Sequence, residues 1–130
     1  MYHATTNAIR VSVETTFIDE RSAPEDSQYF WAYTVEIANL SEESVQLRSR
    51  HWRITDSLGQ TQEVQGPGVV GQEPVIEPGD TFSYTSGTPL NTSSGIMMGS
   101  YGMEGPNGEP FDIEIPAFSL DCPHVAQVVN

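Results

Sequence analysis

Gly66, Gly68 and Gly71 spell G-x-G-x-x-G. That spacing binds pyrophosphate where it joins a strand to a helix N-terminus, because free backbone N–H groups and the helix dipole then face the anion. Here the next residues are Gln72-Glu73-Pro74-Val75-Ile76-Glu77-Pro78-Gly79, and two prolines at that spacing exclude a regular helix interior. Two readings stay open. The glycines form a helix-free nest of N–H groups for an anion, or they supply tight turns and close backbone approach. Just upstream, Arg48, Arg50, His51 and Arg53 hold three of the five arginines within six positions. Beside the glycines these cations would complete a site for an anion or an acidic partner. Otherwise they pair with nearby acids and pack their stems over aromatic rings.

Other chemistry finds less support. The nearest approach to a metal site is Asp121-Cys122-Pro123-His124, which lacks the second ligand pair that zinc needs. Met97, Met98 and Met103 fall on both parities of a strand, the spacing of packing residues rather than of a soft-metal site. No acidic loop has calcium-binding spacing. Gly99-Ser100-Tyr101-Gly102 lacks the spacing of a nucleophile elbow, and no catalytic triad is legible. The expectation is a protein without catalytic residues, resident metal or cofactor.

Composition narrows the partners. The chain carries a net charge of −13, with five arginines and no lysine. That balance argues against nucleic acid, which needs phosphate neutralisation, and against anionic membrane surfaces. It favours solubility and is read either as solvated acidic loops or as a surface for a cationic partner, protein or metal. A lone cysteine, Cys122, allows no internal disulfide and fits a reducing cytoplasm. The N-terminus lacks the basic-then-apolar pattern of a signal peptide. The segment from Thr81 to Met103 carries no charge, yet its Ser, Thr, Gly and Asn content would not span a bilayer.

Any such site must be positioned by strands. Period-two alternation recurs between short turn signals, the pattern of an all-β antiparallel sandwich. Residues 1–130 read as one domain, with residues 1–7 and 122–130 as loosely held ends. Strands are expected over Ala8–Phe17, Tyr29–Asn39, Val45–Asp56, Thr61–Val64 and Thr81–Ser86. A long loop is expected over Gly87–Gly95, then a hairpin of Ile96–Met103 and Pro110–Pro116 around Asn107-Gly108. In the third strand Val45 and Leu47 share one parity while Trp52 and Ile54 share the other. One extra residue between Arg48 and His51, a β-bulge, restores a single buried face. Trp31 and Trp52 are expected in the core.

Several motifs in order resemble the ApaG family. They are Phe30-Trp31-Ala32-Tyr33-Thr34, Arg50-His51-Trp52-Arg53-Ile54-Thr55-Asp56, Val64-Gln65-Gly66-Pro67-Gly68-Val69-Val70-Gly71, Pro78-Gly79, Tyr84-Thr85-Ser86-Gly87, Gly95–Tyr101, and Phe111 with Ile115-Pro116-Ala117-Phe118 and Leu120. The resemblance covers nearly the whole chain and implies a fibronectin type III-like sandwich of two antiparallel sheets. It also implies a non-enzymatic protein-interaction domain, associated with Co2+ resistance and Mg2+ efflux through an indirect or regulatory role. The alternative function is a nucleotide or pyrophosphate binder or hydrolase using the Gly66–Gly71 loop. A direct metal sensor is a third and weaker reading. The partner is an unknown protein, and the chain is expected to act as a monomer or homodimer.

Overall fold

Alternation of apolar and polar residues sets nine strands in the computed structural model, which describes residues 1–124. In chain order they are β1 (Tyr2–Thr6), β2 (Ile9–Phe17), β3 (Tyr29–Asn39), β4 (Val45–Asp56), β5 (Thr61–Pro67), β6 (Val75–Ile76), β7 (Thr81–Leu90), β8 (Ser94–Glu104) and β9 (Pro110–Asp121). Two 3-10 turns, Asp19–Arg21 and Pro24–Asp26, fill the acidic loop between β2 and β3. No helix among the described residues is long and apolar enough to cross a membrane. One sheet has the order β1-β2-β3-β7; the other runs β5-β4-β8-β9, with β6 pairing β4 beside β5. Every described pairing of strands is antiparallel.

The two inner faces bury one core. Ile9, Val11 and Val13 of β2 and Trp31, Tyr33, Val35 and Ile37 of β3 meet Leu47, Trp52, Met97, Tyr101, Ile113 and Phe118 of the opposite sheet. Trp31 and Trp52 are 1% and 2% exposed, as the sequence predicts. On the outer face of β3, Phe30 is capped by the Arg21 guanidinium, 4.0 Å above its ring centroid. That explains aromatics on both faces of one strand.

The parity break in β4 is a bulge. Pairing with β8 slips between Leu47 and Ser49, so Arg48 is the extra residue, just N-terminal of the expected stretch. Val45, Leu47, Trp52 and Ile54 are then all buried. A second slip lies between β8 and β9, where Met97 opposes Phe118 and Gly99 opposes Ile115. The additional residue falls in Pro116-Ala117, so the strand continues through the proline and keeps Ile113, Ile115, Phe118 and Leu120 buried.

Two expectations are corrected. Residues 1–7 are not a loosely held end, because β1 pairs with β2 from Tyr2 to Thr6. The loop at Gly87–Gly95 shrinks to Asn91–Ser93, because β7 extends to Leu90 along β3 and β8 starts at Ser94. At the other end Cys122 is buried and its N–H donates to the Ser93 carbonyl at 2.9 Å. The rest of the expected loose tail, residues 125–130, lies outside the described residues.

Candidate functional site

The bulge decides which cation faces where. Beyond Arg48 the inward parity of β4 passes through Arg50, Trp52 and Ile54, and the outward parity through Ser49, His51 and Arg53. The β4–β5 ladder sets Arg50 opposite Gly66 and Ser49 opposite Pro67. The cationic stretch and the glycines therefore adjoin, as their spacing suggests. Arg50 Nη1 donates to the Pro67 and Gly68 carbonyls, both at 2.9 Å. Its guanidinium lies over Gly66, where a Cβ would sit 3.1 Å from Nη2.

The glycine segment ends in a two-residue turn. Val69 N–H donates to the Gln72 carbonyl and Gln72 N–H to the Val69 carbonyl, each at 2.8 Å. The central residues Val70 and Gly71 have φ of 43° and 79°, the type I′ geometry that favours glycine. Gly68 also has positive φ, and a Cβ there would sit 2.3 Å from the Gln72 carbonyl oxygen. Its N–H donates to the Arg48 carbonyl at 2.9 Å. The amides of Gly68, Val69 and Gln72 are thus bound to backbone, and the carbonyls of residues 67 and 68 point at Arg50. A phosphate cradle needs the reverse, with converging free N–H groups.

What the turn presents is Val70. Its neighbour Val69 is buried, whereas Val70 is 53% exposed. A β-branched residue in the left-handed region is an outlier that costs roughly 1–2 kcal/mol. The chain continues along the N-terminal half of β4. Pro74 accepts from Leu47 N–H at 3.0 Å, and Gln46 Nε2 donates to the Glu73 carbonyl at 2.9 Å. Arg48 Nε meets Glu73 Oε1 at 3.0 Å, and its Nη1 lies 3.7 Å from Glu104 Oε2. Exposed Val70, the Arg48–Glu73 pair and exposed Val75 thus follow one another along the chain from the turn to β6.

Arg53 and His51 face one acid on the outer sheet surface. Arg53 Nε lies 3.5 Å and His51 Nε2 3.4 Å from the same Glu63 oxygen. His51 Nε2 is buried and has no hydrogen-bond partner among the described residues. A depression of about 510 Å³ lies beside it, lined among others by Arg53, Met98, Ser100 and Glu114. Ser100 stands between His51 and Glu114 across adjacent strands. A charge relay needs the histidine in the middle, and no hydrogen bond joins Ser100 to the imidazole among the described residues.

Sequence reasoning missed the acidic partners Glu63, Glu73 and Glu104, and the exposure of Val70. It also missed the phenols behind Arg50. Tyr84 of one sheet and Tyr101 of the other share a hydroxyl–hydroxyl hydrogen bond across the core. Burial raises the phenols of Tyr33, Tyr84 and Tyr101 above the usual tyrosine range, outweighing the opposing pull of the Arg50 charge. Strand parity puts Tyr33 and Tyr84 inward, which was legible; their convergence on Arg50 depends on the bulge.

Arg48 and Arg50, equivalent as sequence, therefore separate. Arg50→Met should cost about 2–3 kcal/mol, the scale of hydrogen bonds from a charged donor. Arg48→Gln should cost under about 1 kcal/mol, as for exposed ion pairs. Urea midpoints check this, and equal losses would contradict the inward placement of Arg50.

Comparison with known proteins supplies the lineage. The sequence profile of the ApaG domain matches residues 19–105. A protein named ApaG from Methylorubrum populi is 60% identical over 130 residues, covering 100% of both chains. One from Xanthobacter autotrophicus is 58% identical with the same coverage. A solved structure from Bordetella pertussis is 48% identical, with a TM-score of 0.87, covering 90% of this chain and 95% of that one.

Proposed function

The chain belongs to the ApaG domain family, and from that premise we propose that it is a non-enzymatic protein-interaction domain that recognises its partner through the Val70–Val75 strip. One observation carries the reading. An exposed valine is held against its conformational preference at the tip of a turn fixed from behind by Arg50. Strain kept at an exposed position is characteristic of functional surfaces. The Arg48–Glu73 pair beside it offers a polar rim around an apolar tip. The role in Co2+ resistance and Mg2+ efflux that the resemblance implies is then indirect, exercised through the bound protein.

The test sets this against the nucleotide reading. ATP, diadenosine tetraphosphate, pyrophosphate, Mg2+ and Co2+ are each titrated while the melting temperature is followed. A ligand at ~100 times its Kd adds about 2.7 kcal/mol to stability. The expected result is no saturable rise with any of them. A saturable rise with a nucleotide or pyrophosphate would transfer the function to an anion site.

A further inference from the structure

Among the described residues the sandwich has four sheet edges, and three of them are occupied or blunted. β1 and β9 close one side together, where Thr6 Oγ1 accepts from Glu114 N–H at 3.2 Å and the Tyr2 hydroxyl meets Ser119 Oγ at 3.0 Å. On the other side β5 carries Glu63 and ends at Pro67, a charge and a missing donor of the kind that protect an edge from pairing. The fourth edge is β7. It pairs with β3 from Thr81 to Leu90, and among the described residues no strand lies along its other side. Alternate residues of an edge strand direct their N–H and C=O groups outward. Thr81 to Thr88 contain no charge and no proline; Pro89 then ends the pairing-competent stretch.

We propose that the β7 edge binds an extended segment of another protein by strand addition, with that segment running antiparallel to β7 and carrying Lys or Arg at its C-terminal end. Main-chain hydrogen bonds supply affinity in this mode and side chains supply selection. The charges flanking the edge select the occupant. At the Thr81 end lie two exposed acids, Asp80 in the preceding position and Glu36 on β3 opposite Ser83. At the Pro89 end Phe30 lies opposite Pro89, with Arg21 above it. An antiparallel segment places its C-terminus beside Thr81, so cations belong there. In its middle the segment meets the neutral pair Thr34–Thr85, whose hydroxyls are 2.9 Å apart. A second copy of the chain is the weaker occupant, because each copy carries a net charge of −13 and like charge opposes self-association. This surface lies on the sheet opposite the Val70 strip and does not depend on it.

The probe is an acetylated eight-residue peptide of alternating Thr and Val ending in two lysines. Binding is followed on the full chain by backbone amide shifts and hydrogen exchange. The expected result is saturable binding that shifts and protects β7 amides. Replacing the lysines by glutamates, or N-methylating alternate peptide amides, should each weaken binding at least about tenfold, or 1.4 kcal/mol. Glu36→Lys in the chain should weaken it comparably without shifting the melting temperature. The proposal is overturned by absence of binding at millimolar peptide, by equal affinity for the glutamate or N-methylated peptide, by unchanged affinity of Glu36→Lys, or by shifts confined to β4, β5, β8 and β9. Concentration-dependent dimerisation that protects β7 amides without peptide would also overturn it, in favour of a second copy.

Discussion

Replacing Trp52 by alanine is expected to cost about 3–5 kcal/mol, a large fraction of the stability of a domain this size. Trp52 is 2% exposed. Its ring meets those of Tyr33, Phe118 and Tyr101 edge-on, at centroid distances of 5.4, 5.9 and 6.2 Å. Those partners come from β3, β9 and β8, so truncation opens a void shared by both sheets. Chemical denaturation measures the loss. A cost below about 1 kcal/mol, the level of an ordinary surface change, would place the ring outside the core.

The second large effect is alkaline unfolding. Tyr33, Tyr84 and Tyr101 all have pKa values raised in the folded chain from the ordinary 10.0, chiefly by burial. Below pH 10 folded and unfolded chains hold the same phenolic protons, and this contribution is fully present. Above it the unfolded chain ionises first, so stability falls as pH rises toward the folded values. The slope is about 1.4 kcal/mol per pH unit for each tyrosine, or about 4 for the three while all remain protonated in the fold. Urea titrations should show stability falling as pH rises above 10, and Tyr101→Phe should make that fall shallower. A stability flat to pH 12 would mean that these phenols ionise without unfolding the chain.

The core was the legible part of the sequence, because burial on one face of a strand leaves a period-two record. The switch of parity between Leu47 and Trp52 even recorded the bulge, although its slip lies between Leu47 and Ser49. What escaped were turns that break the rules by which turns are recognised. Asn7-Ala8, with φ of 49° and 62°, joins β1 to β2, and Val70-Gly71 forms the turn after β5. Alanine and valine are poor witnesses for a left-handed backbone. With the first turn unseen, β1 passed for a loose end. With the second unseen, the G-x-G-x-x-G spacing kept its anion reading. The Arg50 contacts were implicit in the bulge, since one extra residue turns that side chain inward. The acids facing Arg48, His51 and Arg53 lie 10 to 56 positions away in sequence and become neighbours only through strand pairing.

The most direct test of the interaction strip uses Val70→Asn, because asparagine tolerates the left-handed backbone that valine resists. Wild-type and variant chains are immobilised at equal loading, and proteins captured from bacterial lysate are identified by mass spectrometry. The melting temperatures of both chains are recorded alongside. The expected result is a partner captured by the wild type and lost with Val70→Asn, while the variant melts at the same temperature or a few degrees higher as strain is relieved. Capture of the same partner in equal amount by both chains would contradict it.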